Sequence, residues 1–236
     1  MRHILIHQTY ANIPLAVQKI PRKIEPLSRH LGIPRLSAII SRFVYMQENP
    51  GDETPPNLIP LEDCPRYNGK ILVYPSAVAV YRAPSDISGT SNMRYERIRC
   101  VSCWRDGPPR QDCVFVEQDS GLEGFRGLFV GQVEAFLKIK HKTRSHPFAV
   151  MSTFSPVSDS PCPDTGMWIV ERDLDENGEK LMTAVHVDSI IRGAHLIGIA
   201  GNSYIPKDLQ YSDSLNAFRR FYVNKFIDYH AHEIAW

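Results

Sequence analysis

Glu134–Lys142 reads EAFLKIKHK. Ala135, Leu137 and Ile139 alternate with Phe136, Lys138 and Lys140, so one side of the segment is apolar and the other largely basic. A helix would gather its apolar residues every three or four positions. A period of two puts successive side chains on opposite faces and describes a strand with one face on a core. Neighbouring stretches repeat the pattern: KILVYPSAVAVYRAP (70–84) as a strand pair or a bent strand, MRYERIRCVSCW (93–104), RQDCVFVEQ (110–118), HPFAVMSTFS (146–155), GMWIVERD (166–173) and KLMTAVHVDSII (180–191). Short strands separated by turn residues predict a mainly β chain with flanking helices, an α+β arrangement built on a small open barrel of SH3-like or bromo-adjacent-homology-like character, over roughly 67–205.

The flanks read differently. Four prolines (Pro14, Pro21, Pro26, Pro34) make 1–35 irregular, because each removes a backbone donor and disfavours helix just before it. RLSAIISRFVYMQENP (35–50) has helical apolar spacing and predicts a helix near 36–48, stopped by Asn49-Pro50-Gly51, within a helix-and-linker region 36–66. In 206–236, Leu215, Phe218, Tyr222, Phe226 and Tyr229 step by three and four. That stripe predicts an amphipathic helix near 212–233 packed on the barrel.

The chain has 236 residues and a formal net charge of +1. Residues 1–48 carry seven Lys/Arg against two acids, while 148–236 carry seven against twelve. A basic front permits a polyanion contact. No apolar run approaches the roughly 18 residues of a membrane span, and no secretory leader is visible in MRHILIHQTYANIPLAV. Five cysteines do not form a disulfide scaffold at this length. An intracellular protein, nuclear or cytoplasmic, is expected.

The strongest basic surface joins Arg94, Arg97, Arg99, Arg105 and Arg110 to Lys138, Lys140, Lys142 and Arg144, with Phe136 and Trp104 as stacking candidates. Cations on one barrel face contact phosphates without reading sequence, so double-stranded DNA is one expected partner and a chromatin protein the other. An aromatic cage from Trp104, Trp168 and Tyr81 would hold a methylated lysine in that second case.

No metal or cofactor is expected. Cys100 and Cys103 have a zinc-ligand spacing but lack a second pair. In DYHAHEIAW (228–236), Asp228 and His232 share one flank of a helix and His230 lies on the other. One helix therefore offers at most two ligands, with His186, His195 or Cys113 as recruits from elsewhere. DLDENG (173–178) starts like a calcium loop, but Ala184 stands where a bidentate glutamate is needed, and Asn177-Gly178 favours a hairpin turn. No nucleophile elbow, HExxH or phosphate-binding loop occurs, and Ser203 with His195 does not make a triad. A non-enzymatic role is expected. A metal-dependent hydrolase remnant using Asp228 and His232 is the distant alternative.

The strings RYERIRCVSCWRDGPPRQDCVFVEQD, GLEGFRGLFVGQVEAFLKIKH, PDTGMWIVERD, LMTAVHVDSIIRGAHLIGIAG and FYVNKFIDYHAHEIAW resemble, in this order, a segment of fungal transposon-encoded proteins of the Plavaka type, related to the CACTA group. The resemblance covers roughly 36–236. It implies an accessory C-terminal segment of a larger reading frame that ends in a HAHEIAF-like string, with the catalytic motifs elsewhere. Small residues standing at positions 100 and 103 in that family weaken the zinc reading further.

Overall fold

The structure, a computed structural model, describes residues 20–236 except 53, 84–91, 203 and 206. Two helices come first, α1 (Ile24–Leu31) and α2 (Leu36–Glu48). Part of the stretch expected to be irregular is therefore helical. Pro21 precedes α1, Pro26 lies in its first turn where a missing N–H costs nothing, and Gly32 closes it in the left-handed region at φ 67°. The remainder of that stretch, residues 1–19, lies outside the described residues.

Strands follow in chain order: β1 (Ile71–Tyr74), β2 (Ser76–Arg82), β3 (Met93–Val101), β4 (Arg110–Gln111), β5 (Cys113–Glu117), β6 (Leu128–His141), β7 (Arg144–Pro156), β8 (Ile169–Arg172), β9 (Met182–His186), β10 (Ile190–Ala194), β11 (Leu196–Ile199) and β12 (Arg220–Val223). The fold is mainly β and barrel-like, with few helices. Nine strands form one sheet along the path β10-β5-β6-β7-β8-β12-β11, with β1 added to β6 and β9 to β7, and β2-β3-β4 form a second sheet.

β10 and β11 stand at opposite edges of that path, yet only His195 separates them. One extended segment pairs with β5 through Ile190–Ala194 and with β12 through Leu196–Ile199. Covalent continuity at His195 thus completes a ring of six strands. Cys113, Phe115, Val130, Phe154, Trp168, Val170, Phe221 and Val223 fill its interior.

β6 and β7 run on past the ring. Their extension carries β1 and β9, and α1 and α2 cover it. Leu27, Leu36, Ile40 and Val44 pack on Leu137, Ile139, Phe148 and Val150, and Phe43 stacks on Phe148 at 4.4 Å. The alternation in 134–142 is realised, although a bulge between Val133 and Ala135 shifts its register. Between the two tiers lies a polar belt. Arg172 donates to Ser152 Oγ (2.7 Å) and Gln132 Oε1 (3.0 Å), and Ser152 donates to Glu134.

The second sheet covers the outside of the ring. β1 and β2 are one strand bent at Pro75. Its first half pairs with β6 and its second with β3. Ala77, Ala79, Tyr81 and Ile98 face Val114, Val116, Val133, Phe136 and Met151. The alternation that buries these residues turns Ser76, Val78, Val80 and Arg82 of β2, and Met93, Tyr95, Arg97 and Arg99 of β3, the other way.

The expected helix over 212–233 is absent. A single turn, α3 (Ser214–Ala217), leads to β12, and a short helix, α4 (Tyr229–Ile234), follows. Phe221 and Val223 go inside the barrel, whereas Phe226 and Tyr229, both assigned to the packed stripe, are exposed. Spacing alone cannot separate a short helix from a strand when aromatic residues occur in both phases. The edge at β8 and β11 decided for strand, because it offered β12 hydrogen bonds on both sides. The Asn177-Gly178 turn does form. Gly178 sits at φ 77° and donates to Asp175 O at 2.9 Å.

Candidate functional site

Arginines gather around one indole. Trp104 follows β3 in a tight turn in which Gly107 N–H donates to Trp104 O at 3.0 Å. Arg105 and Asp106, the two central residues, have φ of 51° and 59°. This left-handed pair has the form of a hairpin turn that usually takes Asn-Gly, and a β-carbon at each position makes it costly. The guanidinium carbons of Arg99, Arg110 and Arg105 lie 4.5, 5.1 and 5.4 Å from the Trp104 ring centroid. Three guanidiniums thus crowd a single half-buried indole.

Asp112 organises the group. Its carboxylate accepts from Arg110 Nε (2.7 Å) and from the Arg99 backbone N–H (2.8 Å), and its own N–H donates to Arg99 O. It neutralises Arg110. Arg99, Arg97 and Arg105 have no carboxylate within ion-pair distance among the described residues. Partial burial, and next the Arg110 charge, lower the Arg99 pKa, as expected where like charges crowd. Arg97 lies on the same outward face and donates to Ser76 Oγ at 3.2 Å.

Arg94 does not belong to this face. It falls on the opposite side of β3 and lines a cavity of about 180 Å³ with Tyr81, Ala83, Asp228, Tyr229, His230 and Glu233. The lysines form a separate region. Lys138 is half-buried and Lys140 exposed, both in β6 on the Phe136 side. Lys142 lies in the β6–β7 turn and Arg144 opens β7; Lys142 is ion-paired to Glu48 of α2, and His141 Nε2 lies 2.8 Å from the same carboxylate. Hydrogen bonds from Lys142, then His141, hold the Glu48 carboxyl below its usual range. Of the nine basic residues expected on one surface, Arg97, Arg99, Arg105 and Arg110 come together.

Neither stacking candidate is open. Phe136 is buried in the core, and Trp104 is occupied by arginines. The exposed ring is Tyr95, 69% accessible on the same face as Arg97 and Arg99. It is absent from the expected stacking residues, and its position two residues before Arg97 in a period-two strand is the sequence signal for it. The expected aromatic cage does not assemble either. Trp168 is inside the barrel against Phe125, Tyr81 is buried beside Arg192, and Trp104 is in the β3–β4 turn.

The closing stretch 228–236 forms a clasp. Arg192, in β10 beside a bulge, has a side chain 4% exposed and grips Asp228 with two hydrogen bonds of 2.7 and 2.6 Å. Its Nε has no hydrogen-bond partner and faces Glu96 Oε2 at 3.6 Å. His230 stacks on Tyr81 at 4.5 Å with its Nδ1 3.4 Å from Arg192. Burial pushes the Tyr81 hydroxyl up to about 12. Asp228 also caps α4 by accepting from Ala231 N–H at 2.8 Å. Both side-chain oxygens of Asp228 are therefore engaged, and the His232 ring lies 6.0 Å from that of Phe226 while its backbone N–H donates to Asp228 O at 3.2 Å.

Cys100 is shielded and its thiol is pushed up to about 12 by burial, while Cys103 is exposed in the turn beyond β3. Among the described residues, no three His, Cys, Asp or Glu side chains converge in a way that would hold an ion. Ser203, half of the weak Ser203–His195 pairing, lies outside the described residues, and His195 sits at the strand junction with Asn224 (3.1 Å). No described helix is long and apolar enough to cross a membrane. Comparison with family models, curated proteins and solved structures returns no match.

Proposed function

We propose that this chain is a non-catalytic accessory domain that binds nucleic acid, DNA in the first instance, through the phosphate backbone, as the resemblance to transposon-encoded proteins suggests. The observation that carries the reading is the arginine group around Trp104 and its neighbour Arg97 on the outward face of β3, in which Arg97, Arg99 and Arg105 have no carboxylate partner among the described residues. Holding like charges together costs electrostatic energy, and the left-handed turn at Arg105 adds to it. An anion bound there would offset the first cost. Guanidiniums suit the task because they give forked hydrogen bonds to phosphate oxygens and stay charged.

The test is fluorescence anisotropy with a labelled duplex of about 30 base pairs at low and near-physiological salt. Affinity is expected to fall steeply with salt, and Arg99→Gln and Arg105→Gln should each lower the salt slope by about one. Lys142→Gln should change it less, because Glu48 already neutralises that lysine. No binding at low salt would dispose of the reading.

A further inference from the structure

We infer that the outward face of the β2–β3 sheet takes a single strand of nucleic acid, with Tyr95 stacking on a base while Arg97 and Arg99 hold the adjoining phosphates. This rests on the reading above and specifies which polyanion the site fits. Three observations carry it.

First, the face is built from two strands in register, open from Val78 to Arg82 and closed at its end by the buried Ser76. Ser76, Val78, Val80 and Arg82 lie across from Arg99, Arg97, Tyr95 and Met93 in register, and none is acidic. Glu96, the nearest carboxylate in sequence, points the other way, accepting from Gly193 N–H at 2.9 Å. A ligand on this face therefore meets cations, one ring and the half-buried valines Val78 and Val80.

Second, Tyr95 is 69% exposed and makes no ring contact or hydrogen bond with any described residue. Its cross-strand neighbour is the half-buried Val80, so an exposed ring and an aliphatic side chain stand side by side on this face. Trp104, by contrast, has three guanidiniums within 5.4 Å of its ring centroid. Base stacking on this face thus falls to Tyr95.

Third, the geometry suits an extended strand. Residues two apart in a strand are roughly 6.6 Å apart, so Tyr95, Arg97 and Arg99 make a row of ring, cation, cation, continued past the end of β3 by Arg105 and Arg110. Single strands are bound in this manner, by a basic track with aromatic rings on which splayed bases stack. A duplex keeps its bases paired and leaves an exposed ring nothing to stack on.

The experiment uses the full chain and three labelled ligands of matched phosphate number: a mixed-sequence DNA single strand, the same strand with abasic sugars, and a duplex. Each is measured with wild type, Tyr95→Ala and Tyr95→Phe. The single strand should bind more tightly than the duplex. Removing the bases, or replacing Tyr95 with Ala, should each weaken single-strand binding about tenfold, with no further loss when both are done. Tyr95→Phe should bind like wild type, and the salt slope should be the same in all three proteins. Equal binding of abasic and normal strands, indifference to Tyr95→Ala, or tighter duplex binding would overturn the single-strand inference while leaving phosphate binding in place. Failure of all three ligands to bind at low salt would overturn both.

Discussion

Arg192 and Asp228, 36 residues apart, meet in a two-pronged ion pair at 2.6 and 2.7 Å that fastens the last helix to the barrel wall. The guanidinium is almost wholly buried, so removing its partner would leave a charge in a poorly solvated place. Asp228→Ala is expected to lower stability by about 3 kcal/mol in chemical denaturation. Arg192→Met with Asp228→Ala should recover much of this, because a similar volume then sits there without a charge. A double variant no better than Asp228→Ala would show that the pair is not the source of the loss.

His230 makes the clasp sensitive to acid. Burial, with the Arg192 charge as the next cause, lowers its pKa from 6.5 to about 4. The folded chain holds it neutral and the unfolded chain takes up a proton below 6.5. Its contribution is therefore complete above pH 6.5 and is lost as pH falls towards 4. Asp228, held below the usual carboxylate range by Arg192, acts in the same direction at lower pH. Stability should drop on the order of 2 kcal/mol between pH 7 and 4.5. His230→Phe, which keeps a ring on Tyr81, should show a shallower fall, and an unchanged pH profile would count against this assignment.

Strand and helix make opposite claims about the C-terminal region. Phe221 is inside the barrel with Phe154 edge-on at 5.7 Å, whereas Phe226 is 60% exposed. Phe221→Ala should cost about 4 kcal/mol and Phe226→Ala less than about 1 kcal/mol, read from thermal or urea unfolding. An amphipathic helix would give the reverse order.

Arg105 should show stability and binding pulling apart. At φ 51° an arginine is strained where glycine is not. Arg105→Gly should raise stability by about 1 kcal/mol while weakening the salt-dependent association with nucleic acid. A gain in both would mean that the strained turn has no part in binding.

Local signals carried much of the fold. Period-two alternation located β3, β5, β6 and β7, helical spacing located α2, and Asn177-Gly178 located its turn, because each depends on neighbours in sequence. β11 and β12 were not legible: four residues such as RFYV (220–223) become a strand only where two unsatisfied edges await them. The same holds for the site. The alternation RYERIR (94–99) contains the outward row of Tyr95, Arg97 and Arg99, but which parity faces outward depends on the barrel wall that Ile98 packs against. Charge alone groups Arg94 with them, and parity separates it.

The junction at His195 bears on how the chain is made as well as on how it is held. A ribosome delivers β5 through β10 before β12, so everything up to Ala194 can emerge and begin pairing while the ring is still open between β8 and β11. The gap shuts only when Arg220–Val223 leaves the exit tunnel and slots in as the last stave. Until then the Phe154 and Trp168 side of the interior faces water and the cell's chaperones. Nascent chains halted short of Arg220 are expected to be cut readily by protease, and those halted well beyond Val223 to resist.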